Sequence, residues 1–296
     1  MAVNFNPGFA VPLFCALIYV LGALMVKRAS ALGAGVWRTN FVSNWALALV
    51  FVPIWFWFGG EVHPMADYGR VVVTAGLFLG GQIFTFLALS RGDVSVTTPV
   101  LGTKVILVAL FSSLLRAGEV PLQWWVGAAL STTAIALMHV GGKTHRRNTG
   151  PTVGYALCSA VAFSVGDVLL QKWVPSWGVG SYLPPMFLLI ALMSFGFVPF
   201  FAAPLSALSK PAWRWIGPGA GLLALNNAGI VLSIVLVGSA TAVNILYSIR
   251  GLLSVLLVWM IGHWFGNDEG QLSGKLLALR MVGAALMLAA IVLVLL

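Results

Sequence analysis

Four ionisable side chains lie well inside long apolar runs of this sequence: Lys104, Asp167, Arg250 and Arg280. A charge near the middle of a hydrocarbon layer costs about 2.5 kcal/mol or more on insertion scales, so each demands a partner, a water-filled cavity or a function. Lys104 and Arg250 stand ten positions past residues 94 and 240, where their runs begin, too deep for their stems to carry the charge out to water. Two cations at that depth can hold an organic anion such as a carboxylate or a phosphate ester, and Arg can grip it through two N–H groups at once. The competing structural reading is an ion pair in which Asp167 ties Lys104 or Arg250 to a neighbouring helix. Asp167 is also the one deep carboxylate, which makes it the single candidate for a proton site; exchange or facilitated diffusion needs none.

Polar residues accompany these charges. Asn244, Tyr247 and Arg250 follow one another at spacings of three and share one broad helix face, as do Thr97 and Lys104, seven apart. Gln82 on the third run matches Asn227 on the eighth, with Asn226 beside it. A buried amide must find a partner, and in a membrane it joins helices as readily as it holds a ligand. The set expected to line a solute site is therefore Lys104, Arg250, Asn244, Tyr247, Gln82, Asn226, Asn227 and Thr97, with Asp167 as a proton or ion-pair site. His63, His139 and His145 lie at or near loops without metal-ligand spacing, and Cys15 and Cys158 sit inside apolar stretches as packing residues. No catalytic residue, metal or cofactor is expected.

The elements that must position these residues follow from composition. Of 296 residues 60% are hydrophobic and 8% charged, against about 25% charged in soluble domains, so an aqueous core cannot hide the apolar surface. About 20 apolar residues cross a bilayer as a helix. Runs of that length fall at 9–29, 36–58, 70–90, 94–116, 121–141, 151–173, 182–203, 212–237, 240–264 and 274–296. Short turns rich in Gly, Pro and charge separate them, and tryptophans such as Trp55, Trp124 and Trp213 mark the interfaces. The expected fold class is an all-α membrane protein of ten transmembrane helices. The net charge of +9 is scattered over the connections, which suits anionic lipid and topology and not nucleic acid. The N-terminus has no Lys or Arg before its apolar run and reads as a first span instead of a cleaved leader.

The ten runs repeat. A displacement of 146 places Phe51-Val52-Pro53 on Phe197-Val198-Pro199, Ser95 on Thr241, Thr98 on Asn244 and Lys104 on Arg250. At 145, Ala75-Gly76-Leu77 falls on Ala220-Gly221-Leu222, and at 144 Gly22 falls on Gly166. After an insertion, Val126-Gly127-Ala128-Ala129-Leu130 returns as Val282-Gly283-Ala284-Ala285-Leu286. Each copy has an odd number of spans, so the second enters the membrane from the opposite side. The expected organisation is a first five-helix repeat at 1–141, a basic linker at 142–150 and a second, inverted repeat at 151–296. A pseudo-two-fold axis in the membrane plane then relates the halves, the geometry of alternating-access transporters.

The segment ALSRGDVSVTTPVLGTKVILVALFSSLLRAGE (88–119), followed by the Gly-rich VGAALSTTAIAL, resembles the EamA-type repeat of the drug/metabolite transporter superfamily. The resemblance covers both halves and implies spans 3, 4, 8 and 9, with parts of 1 and 6, around a central cavity. It implies export, uptake or exchange of a solute without naming the solute. Arg250, nine positions after Thr241, is also similar to the Arg of the triose-phosphate and nucleotide-sugar branch. Ile249 stands where phosphate translocators carry a Lys, and Lys104 is about a turn from their basic residue in the fourth span, which disfavours a phosphate and leaves an anion.

The expected function is secondary transport of a small anionic or zwitterionic organic metabolite by a monomer or homodimer among membrane lipids. The expected place is a cell membrane, the inner membrane of a bacterium. Lys and Arg near span ends put both termini outside by the positive-inside rule, whereas the resemblance implies both inside. The alternatives are a non-transporting sensor or scaffold, and a membrane-embedded enzyme, for which no HExxH, nucleophile elbow or paired-carboxylate motif is present.

Overall fold

The computed structural model describes residues 7–59, 61, 63–91, 94–139, 149–261 and 274–296, and the regular structure among them is helical throughout. Residues 142–148 of the expected linker, with His145, lie outside the described residues. In chain order the α-helices are α1 (Ala10–Ala31), α2 (Val36–Phe58), α3 (Gly69–Arg91), α4 (Val94–Gly102), α5 (Lys104–Leu114), α6 (Leu122–Met138) and α7 (Thr149–Trp177). They continue with α8 (Val179–Met193), α9 (Lys210–Val237), α10 (Ala240–Tyr247), α11 (Arg250–Ile261) and α12 (Gly274–Leu295). Eight helical stretches are long and apolar enough to cross a membrane, α4 with α5 counting as one, and α6 is a shorter apolar helix. The remaining apolar run is divided between α10 and α11. The chain is thus an all-α membrane protein whose helices fall on the ten apolar runs of the sequence.

Local chemistry sets the helix ends. The Ser209 hydroxyl accepts from the Ala212 N–H at 3.3 Å to start α9, with Pro211 in its first turn, and Gly238 closes it in the left-handed region at φ 70°. Ser239 then caps α10 by accepting from the Ala242 N–H at 3.2 Å. The expected seventh span carries a tighter 3-10 stretch, Ser194–Phe200, ahead of the turn to α9. Pro199 lies in that stretch and cannot donate a backbone bond.

Small residues let the helices approach. A side chain at Gly127 on α6 would begin 3.3 Å from the Ala290 carbonyl oxygen of α12, and one at Gly283 on α12 would begin 3.0 Å from the Ala134 carbonyl oxygen of α6. Both members of the first contact map onto the second by a displacement of 156, since 283 − 127 and 290 − 134 are equal. The α1–α9 and α3–α7 contacts behave alike. Gly22 abuts Leu223 with 3.1 Å for an added Cβ, and Gly166 abuts Phe78 with 3.0 Å, at displacements of 144 and 145.

At the end of the molecule where α2, α7 and α8 meet, Trp177 stacks on His63 with ring centroids 4.0 Å apart. Gly180 there lies directly on the backbone of Phe58 and Gly59. Gly180→Ala is expected to destabilise the protein by about 1–3 kcal/mol, because backbone cannot move aside as a side-chain tip can. Thermal unfolding in detergent checks this against Gly76→Ala, where nothing lies within 4 Å; equal melting temperatures would refute it.

Candidate functional site

Lys104 and Arg250 are each the first residue of a helix that resumes after an interruption. Between α4 and α5 the Thr103 N–H bonds the Val100 carbonyl at 3.1 Å, a three-residue step, and the Thr103 hydroxyl donates to the same carbonyl at 2.7 Å. Pro99, inside α4, has no N–H to offer the ladder. Between α10 and α11 the Ile249 N–H bonds the Leu246 carbonyl at 3.3 Å, and the Ser248 hydroxyl donates to the Ile245 carbonyl at 2.6 Å. A hydroxyl competing for a helix carbonyl loosens the ladder there. The first interruption lies close to Pro99 and Gly102, and the second has no proline near it.

Lys104 finds its partner across the bundle. Its Nζ lies 2.8 Å from Asp167 Oδ2 on α7, and the same oxygen accepts from Asn244 Nδ2 of α10 at 2.8 Å. The Asp167 side chain is 2% exposed and that of Lys104 21%. Asn244 also donates to the Ala240 carbonyl at 2.9 Å, so its amide is held from below. Phe163, one turn before Asp167, presents its ring 5.6 Å from the ammonium. Ser164 donates to the Lys104 carbonyl at 3.2 Å and so braces α5 at its first residue. One carboxylate thus joins α5, α7 and α10.

Arg250 is placed differently. Its guanidinium carbon sits 4.8 Å from the Tyr19 ring centre and 4.6 Å from that of Tyr247, with the two rings edge to face at 80°. One N–H donates to the Tyr247 hydroxyl at 3.3 Å. Asn226 of α9, in the amide orientation that satisfies both its ends, donates to the Tyr247 hydroxyl and to the Cys15 carbonyl, each at 3.0 Å. Tyr247 is therefore held between α9 and Arg250. Among the described residues no carboxylate lies within ion-pair range of the Arg250 guanidinium, while Lys104 has one. An Arg has five N–H donors, and aromatic faces neutralise a cation only in part.

The other expected lining residues are spread out. Gln82 and Asn44 exchange two amide hydrogen bonds of 3.0 Å that join α3 to α2. Thr97 is fully buried and its hydroxyl faces the Ala88 carbonyl at 3.5 Å. Asn227 is exposed although its neighbour Asn226 is buried. Arg280 on α12 is half-buried, with its Nε without a partner. Clefts of about 710 Å³ around Arg116 and Glu119 and about 460 Å³ around Glu61 and Trp177 include neither Lys104 nor Arg250 among their linings. Tyr19 and Phe163, which no sequence argument selected, are the aromatic partners of the two cations. Their separation, 163 − 19, equals the displacement of 144 that relates Gly22 to Gly166.

Residues 7–140 match the EamA-like transporter family. A protein of Archaeoglobus fulgidus described as an uncharacterized transporter is 28% identical over 149 residues, 49% of this chain and 50% of that relative. The chain thus spans about half the length of the curated relative it matches. A solved crystal structure superposes with a TM-score of 0.75 over 98% of both chains at 17% identity, a likeness of fold.

Proposed function

We propose that this chain, whose residues 7–140 match the EamA-like transporter family, is a member of the drug/metabolite transporter superfamily and carries a small anionic or zwitterionic organic metabolite across a cell membrane by alternating access. The observation that supports this most is Arg250, a guanidinium with two tyrosines around it and no carboxylate in ion-pair range among the described residues. A solute carboxylate or other flat oxyanion supplies the charge it needs. The inverted relation of the halves is part of the reading. It is supported by the reciprocal Gly127–Ala290 and Gly283–Ala134 contacts, and by the interruptions just before Lys104 and Arg250. Of the expected solute contacts, Arg250, Tyr247 and Lys104 touch the solute in this reading. Asn226 and Asn244 position Tyr247 and Asp167, and Gln82 joins helices.

Purified protein in liposomes preloaded with organic acids, amino acids, sugar phosphates or nucleotides is expected to accumulate the matching labelled anion by counterflow. Binding without movement across the vesicle wall would overturn transport in favour of a sensor. Counterflow of cationic or neutral solutes alone would overturn the anionic reading.

A further inference from the structure

The two cation sites correspond position by position, and they differ most in charge balance. Under the displacement of 146, Lys104 becomes Arg250; under 144, Phe163 corresponds to Tyr19 and Asp167 to Ala23. The structure keeps the first correspondence in space: each cation lies over the matching ring, Lys104 over Phe163 at 5.6 Å and Arg250 over Tyr19 at 4.8 Å. The helix pairs that carry them also correspond, α5 against α7 and α11 against α1. Phe163 and Asp167 are one turn apart on a shared face, as are Tyr19 and Ala23. The second half therefore supplies a carboxylate to the cation of the first, and the first half offers a methyl group in return.

Resting on the anion reading above, we propose that Ala23 marks where the carboxylate of the solute binds: beside Arg250 and Tyr19, in the register that Asp167 occupies beside Lys104 and Phe163. The solute completes the second ion pair with a group the chain itself provides in the first. Thr98 stands in the register of Asn244, whose amide donates to Asp167. Charge selects within the class. Lys104, Arg250 and Asp167 sum to +1, so a monocarboxylate brings the cluster to neutrality, while a zwitterion leaves it at +1 in a medium where unbalanced charge is costly. The substrate class is an organic monocarboxylate, preferred over its amino-acid analogue.

Ala23→Asp tests the placement without knowledge of the solute. The introduced carboxylate is expected to pair with Arg250, so that Ala23→Asp melts no lower than the parent, whereas Ala23→Asp with Arg250→Met melts several degrees lower. Phe14→Asp, at an exposed position of the same helix, provides the cost of an unpaired carboxylate on α1. The same Ala23→Asp protein is expected to lose at least tenfold in counterflow of labelled benzoate, because its own side chain occupies the place of the solute. If Ala23→Asp destabilises as much as Phe14→Asp, whether or not Arg250 is present, the placement is wrong. If Ala23→Asp still exchanges anions that Arg250→Gln does not, Arg250 remains the anion site and Ala23 is not beside it. If the parent exchanges no anion, the broader reading fails, while the melting comparison still decides whether a carboxylate at position 23 reaches Arg250.

Discussion

Arg250→Gln is expected to abolish counterflow of organic anions while the protein still folds. Truncating one partner of a buried charged hydrogen-bonded pair costs about 2–5 kcal/mol, roughly 30-fold to several thousand-fold in affinity at 1.4 kcal/mol per factor of ten. The fold should tolerate the change because Arg250 makes no ion pair with a described residue. Its side-chain hydrogen bond among the described residues goes to the Tyr247 hydroxyl, which Asn226 also holds. Removing a cation without an ion-pair partner among the described residues also relieves a desolvation cost. Arg250→Lys separates charge from shape. It keeps the positive charge and loses the planar fork, so it should retain a fraction of the exchange rate with a raised half-saturation concentration. Initial counterflow rates and elution as a single species in detergent are the two readouts; normal exchange by Arg250→Gln would end the anion-site reading.

Asp167→Ala is expected to have the opposite profile, a large loss of stability. The substitution leaves the Lys104 ammonium in the membrane with a 5.6 Å ring contact in place of a 2.8 Å ion pair. It also takes from Asn244 an acceptor at 2.8 Å. Breaking a buried pair from one side costs about 3–5 kcal/mol, whereas replacing both partners by apolar groups of similar volume is often neutral. Lys104→Met combined with Asp167→Ala should therefore melt well above Asp167→Ala alone. Thermal unfolding of the three variants measures the coupling; additive losses would mean that the pair does not act as a unit. Counterflow by the double variant then reveals whether the pair serves only to join α5, α7 and α10 or takes part in the transport cycle.

The number of spans was legible because it depends on length and hydropathy alone: about 20 apolar residues cross the layer whatever their neighbours. Side-chain partners were less so. Gln82 and Asn244 looked alike as amides deep in apolar runs, yet one is spent on Asn44 and the other on Asp167. The difference is the rotation of each helix about its axis, which packing sets. Asn226 and Asn227 show it at its smallest scale, where one step of about 100° separates a buried residue from an exposed one. The break before Arg250 was also illegible, because no proline announces it.

The sequence by itself thus determined a membrane protein of ten apolar runs and the rarity of the charges within them. Each rests on the cost of placing a charge or an unpaired backbone group in hydrocarbon, and that cost is local to the chain. Only the tertiary structure decided which cation receives Asp167 and which is left to Tyr19 and Tyr247. An ion pair is a matter of a few ångströms between different helices, and spacing along one helix cannot specify how the next is turned toward it.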